Sequence, residues 1–546
     1  MRRSLPWMLG LMLVAATPLL AGTFDKSRIA PDLGLDALTK SVARDQVGRD
    51  LFSNPYSAVT LGSVDVYDAF PYVETRTYAI VSDPAWNRLV FGEAGKTLRA
   101  YDGAGTSFGR LRQPRGLAVD EAGHVYVADA GNDRVLVLQA HTEFDQVTLT
   151  PLFEVRGLHA PNDVAYSDGG TPFQPGDDVL YVADSGRNRV ASFSLLAQGA
   201  QLRTTLGELG SGRGRFAGPM AIAVGRSQGA SSREVYVADA HTRRLVHLRD
   251  LGSSLQWIGE VTQDADVVTA LSTDQWGNLY ASAPQQGVVR KFAPNLTAVA
   301  ELRNDVSRPR SFHVPFVTVR DHRAGTTTRV GQPSGLSVDQ WSTTTGMRQW
   351  GLGLDVSQLA MVGNNPPAAR FTLTDQAQVT LELLDAGGQS IVRRSAGVLP
   401  AGIHTLPLRD EDLRAASGAG EVMVRVAAAS SYPDGPSATA FTRLSLGGAA
   451  VAPTQSRLLG NSPNPVRPWT RINFVLASGV RGPVTLRLYD AGGRLVRTFT
   501  ERFSPGLNEV TWNGTDDQGR SLPAGVYLSR LNVGAQEFNH KMILVH

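Results

Sequence analysis

Between residues 114 and 138 the chain reads "PRGLAVDEAGHVYVADAGNDRVLVL", a series of short apolar runs cut by polar turns. Gly116 to Val119, an Asp-x-x-Gly turn from Asp120 to Gly123, and Val125 to Ala128 predict two antiparallel strands joined by a tight hairpin. A third strand follows from Arg134 to Leu138, and a less regular fourth strand fits the gap before the next copy. Each such unit is then a four-stranded antiparallel blade.

The unit recurs. "VYVADAGNDRVLVL" at 125, "LYVADSGRNRVASF" at 180 and "VYVADAHTRRLVHL" at 235 align without gaps, superposing Asp129, Asp184 and Asp239, and likewise Arg134, Arg189 and Arg244. Weaker copies are "LYASAPQQGVVRKF" at 279 and "LVFGEAGKTLRAY" at 89, the latter with Glu93 at the acidic position. First strands are placed near Ala79, Gly116, Asp163, Ala221, Ala270 and Gly335, at spacings of 37 to 65 residues. A propeller blade takes about 40 to 50 residues plus loop insertions, so the pattern predicts six blades. The longest gap, "RNDVSRPRSFHVPFVTVRDHRAGTTTRV", leaves room for a seventh, and "AVTLGSVDVYDAF" at 58, with no repeat of its own, is read as the ring-closing segment.

These motifs resemble the NHL-repeat β-propellers, in which a Pro-x-Gly-hydrophobic-x-Val-Asp segment precedes Tyr-Val-Ala-Asp-x-x-Asn-x-Arg. The stretch "QPRGLAVDEAGHVYVADAGNDRV" follows that pattern almost throughout, and "GSGRGRFAGPMAIAV" resembles the glycine-rich connector before a blade.

An acid that recurs in several blades with an arginine five residues later occupies the same turn each time, where it caps backbone amides and pairs with that arginine. A catalytic group is needed once, so the repetition points to architecture; the other reading is a metal site. Some propellers of this kind are hydrolases or lyases with a metal in the channel, and the resemblance keeps that reading open. The residues before the six first strands, hence the expected channel mouth, are Tyr78, Arg115, Asn162, Met220, Thr269 and Ser334. None is a histidine, and the histidines at 124, 141, 159, 241, 247, 313 and 322 share no register from which about three could converge on zinc. The loops joining blades, and those joining second to third strands, share one face and bring Arg112, Arg115, Asn132, Asn162, Arg187, Arg213, Arg215 and His241 to its rim. Arginines there suit carboxylate, phosphate or glycan-acid ligands; the plainer reading is a solvated rim.

From about residue 368 the pattern changes to strand alternation. "VTLELLDAGGQSIVR" at 379 and "VTLRLYDAGGRLVR" at 484 are copies of one another, which predicts two related antiparallel sandwiches. The last, with "NSPNPVRPWTRINFVL", "WNGTDDQGRSLPAGVYLSRL" and "HKMILVH", resembles the FlgD-like immunoglobulin fold and the C-terminal sorting domains of bacterial type IX secretion cargo. That resemblance implies passage through the outer membrane, with cleavage or attachment at the surface. Asp516 and Asp517 in "NGTDDQGR" are expected to close a hairpin rather than to bind calcium, which takes six or more oxygen ligands.

Composition and ends complete the expectation. "MRRSLPWMLGLMLVAATPLLAG" has two arginines, a short apolar run and small residues at its end, as a secretory leader does. Its apolar stretch is short of the ~20 residues a membrane span needs, and no later run is long enough. Loss of Arg2 and Arg3 with the leader leaves 51 basic against 50 acidic side chains, so there is no nucleic-acid-type excess of charge. With 42% hydrophobic and 19% charged residues and no cysteine, the chain is globular and built without disulfides or thiolate metal sites.

The expected layout is a leader over 1–22, an N-terminal extension over 23–54, a propeller over 55–365, a spacer sandwich over 366–446, a linker over 447–458 and a terminal sandwich over 459–546. The fold class is all-β: a six-bladed propeller followed by two immunoglobulin-like sandwiches. The expected role is an exported, surface-associated binding or scaffold protein with no cofactor. Its partners would be a protein, peptide or glycan ligand at the propeller face and the secretion machinery at the C-terminal domain, with no nucleic acid and no membrane span. A propeller enzyme and an adhesive envelope component are the alternatives.

Overall fold

The computed structural model describes residues 54–544, apart from 68–71, 94–98, 144–145, 172, 175, 226–232, 264–266, 304–307, 315, 323–325, 332–333, 341–344, 352–353, 364, 432–436, 447–452, 463 and 467–468. The leader and the N-terminal extension lie outside the described residues. The chain divides into two units, Met1–Leu352 and Gly353–His546.

In the first unit, strand follows strand into six sheets. Blade two shows the rule: Pro114–Val119, His124–Asp129, Arg134–Glu143 and Gln146–Val155 pair in sequence order, each antiparallel to the last. The hydropathy pattern follows position. His124–Asp129 has sheet neighbours on both edges and packed blades on both faces, so all but its first residue are buried. Leu255–Thr262, outermost in blade four, instead buries Leu255 and Trp257 and exposes Gln256 and Ile258 between and beyond them. The inner strands Ala58–Tyr67, Pro114–Val119, Asp163–Ser167, Pro219–Gly225, Ala270–Thr273 and Arg308–His313 touch in order, and the last returns to the first. The ring is closed around a channel.

Four expectations are corrected. Ala79 begins no first strand, because Tyr72–Asp83 is the second strand of blade one and pairs with Ala58–Tyr67. The segment at 58 is thus that blade's inner strand. The acid and base of this blade are Asp83 and Arg88, facing each other in register as Asp129 and Arg134 do, and not the copy at 89 with Glu93. Blade six is likewise shifted: Gly335 lies in its second strand, Ser334–Gln340, which pairs with the inner strand Arg308–His313. The long gap holds that inner strand and a hairpin, Phe316–Asp321 with Thr326–Gly331, laid parallel on Ala58–Tyr67. It holds no seventh blade among the described residues.

The second unit contains two sandwiches of one pattern, a three-stranded sheet over a four-stranded one. In the first, Val356–Val362 pairs with Ala368–Leu373, so this strand belongs to the sandwich and the propeller ends before it rather than at 365. Phe371, Leu381 and Val424 are among its buried core. In the second, Trp512 lies edge-on to Tyr527 at 5.5 Å and donates its indole hydrogen to the Thr515 carbonyl at 2.9 Å. Leu384, Met423 and Val475 form a small apolar contact between the sandwiches.

One device closes hairpins throughout. A carboxylate accepts the backbone N–H groups two and four residues on: Asp120 from Ala122 and His124, Asp490 from Gly492 and Arg494, Asp516 from Gln518 and Arg520. Asp516 has the hairpin role read from the sequence, and Asp517 accepts the Thr498 N–H across the sheet.

Candidate functional site

The recurring acids are structural. Asp129 is fully buried; one oxygen accepts the Arg112 N–H at 2.7 Å, and the other accepts Asn132 Nδ2 and Arg134 Nε, each at 2.8 Å. Asp184 accepts the His159 N–H and Arg189 Nε, both at 2.7 Å. Asp239 accepts the Ala217 N–H at 2.8 Å, the Thr242 hydroxyl at 2.6 Å and Arg244. Each acid thus ties the entry to its blade's inner strand to the turn between the second and third strands. That turn needs one left-handed residue, met by Asn87, Asp133, Asn188, Arg243 and Gly287 with φ of 52° to 65°.

At the same end of the ring the channel narrows. The residues that enter the inner strands here are Ser57, Arg115, Asn162, Met220, Thr269 and Arg310, each one place before Ala58, Gly116, Asp163, Ala221, Ala270 and Ser311. Arg115 donates through Nη1 to Asn162 Oδ1. Asn162 Nδ2 donates to the Tyr56 hydroxyl oxygen at 2.8 Å and also to the Met220 carbonyl. Tyr56 therefore accepts, and its own hydrogen is left to point at a ligand or water. Burial raises its pKa, so the phenol stays protonated. Arg310, whose Nη1 holds Asn54, and Arg115 flank the first blade on either side.

Asp163 is the one carboxyl in the ring of small residues below this mouth, and it lines a throat cavity of about 40 Å³ with Ser311 of the opposite blade. It accepts the N–H of Val164 at 2.9 Å and of Ile222 at 3.0 Å. Burial outweighs both bonds and pushes its pKa up to about 7. Beyond Leu117, Val164 and Ile222 the channel opens at its other end into a cavity of about 220 Å³, lined among others by the Asp120–Gly123 turn, Asp168 and the first strand of the hairpin of blade six.

Of the residues expected at the mouth, Arg115, Asn162, Met220 and Thr269 are there. Thr269 spends its hydroxyl on the Arg310 carbonyl at 2.8 Å, clipping blade five to blade six, as Ser82 clips blade one to Arg115 of blade two at 2.6 Å. Tyr78 is corrected to the second strand of blade one and lines the wide cavity. Ser334 is corrected to the second strand of blade six, and its side chain lies outside the described residues. On the rim, Asn132 is committed to Asp129, Arg187 to the Gly157 carbonyl, Arg213 to the Trp257 carbonyl at 2.7 Å, Arg215 to Glu208 at 2.7 Å and His241 to the Ala217 carbonyl at 2.8 Å. Arg112 is exposed and packs its stem over Gly131.

Sequence reasoning missed Tyr56, Asp163 and Arg310. The first two were available as neighbours of residues already chosen; Arg310 was hidden by the misplaced blade six. Among the described residues, no three His, Asp or Glu side chains are grouped to hold a metal ion.

Residues 111–138 match the family model described as NHL repeat, and residues 470–535 match that of the FlgD Ig-like domain. Among solved structures, a streptogramin B lyase aligns at 10% identity over 55% of this chain and 94% of its own, with a TM-score of 0.34. Regucalcin from Agrobacterium tumefaciens str. C58, titled a calcium-binding protein, aligns at 11% over 53% of this chain and 85% of its own, TM-score 0.31. A putative gluconolactonase aligns at 15% over 57% and 98%, TM-score 0.31. Similarity at this level assigns no chemistry to the chain. A search of curated proteins finds no match.

By its closed ring of sheets the first unit is a six-bladed β-propeller, and the second carries immunoglobulin-like sandwiches. The propeller contains an NHL-type repeat, and the last sandwich contains a FlgD-type immunoglobulin-like domain.

Proposed function

We propose that this is an exported, surface-associated binding protein whose propeller recognises an anionic group, a carboxylate foremost, at the narrow mouth of its channel. The observation that carries the reading is the set of donors there: Arg115 and Arg310 on either side of blade one, and the Tyr56 hydroxyl, whose oxygen is already engaged by Asn162. Arginine matches the planar geometry of a carboxylate, and a rigid ring holds the donors without a closing motion. Exposed Arg112, Arg187 and Arg213 add positive charge on the same rim, while Arg215 is paired with Glu208. Peptide C-termini and acidic glycans are the ligand classes this fits. Titrating the full chain with both, and with amide-capped controls, tests the reading; Arg115→Ala and Arg310→Ala should each weaken binding by about tenfold or more. Equal binding of capped and uncapped probes would overturn it.

Export and surface attachment are supported by the leader-like first 22 residues and by the resemblance of the last sandwich to secretion-sorting domains. Deletion of residues 454–546 should leave the protein in the periplasm; unchanged surface delivery would refute the sorting role.

A second reading, a channel hydrolase or lyase, rests on Asp163. A carboxyl with its pKa near 7 in a confined throat has the proton affinity that general acid–base work uses. A stoichiometric, tightly held transition metal in the purified protein, or turnover lost in Asp163→Asn, would favour it.

A further inference from the structure

The throat below the narrow mouth holds an acid that no cation balances. Asp163 accepts one backbone N–H at each carboxyl oxygen, from Val164 at 2.9 Å and from Ile222 at 3.0 Å, and it forms no ion pair among the described residues. Each oxygen of a carboxylate has two lone pairs, so each keeps a place for a further donor. Ser311, of the opposite blade, lines the same cavity, is 4% exposed, and its hydroxyl has no hydrogen-bond partner. A buried hydroxyl without a partner is unfavourable, and a bound group that supplies one offsets this.

Mouth and throat meet at Tyr56, which lines the throat with Asp163 and Ser311. Burial raises the pKa of Tyr56 foremost; the Asn162 hydrogen bond, Arg115 and Arg310 lower it, and Asp163 raises it. Its hydroxyl therefore sits in the field of both arginines and of the acid. Arg115 is bound to Asn162, the chain neighbour of Asp163, so the positive and negative ends of the site are fixed to one another.

We propose that mouth and throat form one site for a free amino acid, its carboxylate taken by Arg115, Arg310 and Tyr56 and its α-ammonium by Asp163 and Ser311. This rests on the carboxylate reading of the mouth and narrows it. A ligand carrying both charges on adjacent carbons satisfies the arginines and the buried acid together. A peptide C-terminus or a sugar acid brings no ammonium beside its carboxylate and leaves Asp163 without a cation. The throat, at about 40 Å³, is far below the roughly 300–1,000 Å³ of drug-sized pockets, so it takes an ammonium group while the amino acid's side chain faces the rim.

The preference for an amino group depends on pH in a fixed direction. The titratable and charged groups around the throat are Tyr56, Arg115 and Arg310 at the mouth and His313 of blade six in the lining. Burial pushes the pKa of Asp163 up to about 7 against the hydrogen bonds from Ile222 and Val164. A proton and an ammonium compete for the same oxygens, so the ammonium is held above this pH and lost below it. The carboxylate contacts have no such dependence in this range, because arginine stays charged.

The test titrates the full chain, by ligand-observed nuclear magnetic resonance, with L-alanine, with propionate, which lacks only the amino group, and with L-alanine amide, which lacks the carboxylate. Alanine should bind about tenfold more tightly than propionate at about pH 8, and the ratio should fall to about twofold at about pH 6. In Asp163→Asn the ratio should approach one at both pH values, and in Ser311→Ala it should shrink. Thermal melts show that the variants are folded, and the probes and pH series on the unaltered chain decide the question without them. Equal binding of alanine and propionate at the higher pH, or a ratio that keeps its pH dependence in a folded Asp163→Asn chain and so belongs to His313, would overturn the amino-acid site and leave the carboxylate reading standing. Alanine amide binding as tightly as alanine, or no binding of any probe, would overturn both.

Discussion

Arg134 Nε lies 2.8 Å from Asp129 Oδ2, with the acid inaccessible to solvent and the arginine 4% exposed. Arg134 continues to Glu154 at 2.9 Å and to the Phe108 carbonyl at 2.7 Å, so one guanidinium ties three segments of blade two. Removing the acid leaves Glu154 as Arg134's one carboxylate partner and strips the Arg112 N–H of its acceptor in the interior. Asp129→Ala should therefore destabilise the propeller by about 3–5 kcal/mol, while Asp129→Ala with Arg134→Met should cost less than the two single changes added together. Urea unfolding of the three variants measures both.

Gly116 packs against the next blade with no room for a side chain. A Cβ there would stand 2.0 Å from Asp163 Oδ1 and 2.6 Å from Asp163 Cα, and backbone cannot move aside as a flexible side chain can. Gly116→Ala is expected to cost about 1–3 kcal/mol or more, read as a lowered midpoint in the same unfolding experiment.

Asp163 should make stability depend on pH in the sense opposite to a salt-bridged acid. Its folded-state pKa, about 7, lies above its ordinary value of 3.8, so the folded chain binds the proton more tightly than the unfolded chain. Its contribution is fully present below pH 3.8 and is lost as pH rises towards 7. In Asp163→Asn that component of the slope should vanish. The overall level should fall as well, because the amide can accept from only one of Val164 and Ile222. Melting temperatures across the pH range check both.

Arg243 occupies the left-handed turn position with φ 52°, where its counterparts are Asn87, Asp133, Asn188 and Gly287. Arg243→Gly should raise stability by up to about 1 kcal/mol, since side chains longer than asparagine or aspartate pay most for that conformation. A fall in the unfolding midpoint would contradict it.

Trp512, 1% exposed, is the largest buried side chain of the last sandwich. Trp512→Ala should cost about 3–5 kcal/mol through the cavity it leaves and should orphan the Thr515 carbonyl. Near-ultraviolet circular dichroism and limited proteolysis of the C-terminal domain report the loss.

Much of this architecture was legible along the chain, and the misreadings share one cause. Blades two to four keep Asp129, Asp184 and Asp239 five residues before an arginine, and each such pair lies in register across its turn. Blade one keeps the same spacing in Asp83 and Arg88, with an asparagine at 87 before the arginine. Its Pro84 and Trp86 disguise the turn, and the apolar run at 89 imitates a second strand although it is a third. Blade six interposes a hairpin between its first and second strands, so counting residues from blade five placed its inner strand too late. Local pattern reports which residues make strands; it does not report which strand of a blade they make.

The sequence by itself determined the repeating unit, the strand-and-turn grammar, the structural duty of the recurring acids and the pair of related sandwiches, because each follows from contacts within a few residues of chain. Only the tertiary structure decided which end of the channel is narrow, that Asp163 and Ser311 share its throat, that Arg115 and Arg310 flank one blade, and that Tyr166 lies between two carboxylates. Those arrangements join residues from different blades. Closure of the ring sets them, and closure depends on how whole sheets pack rather than on any one segment.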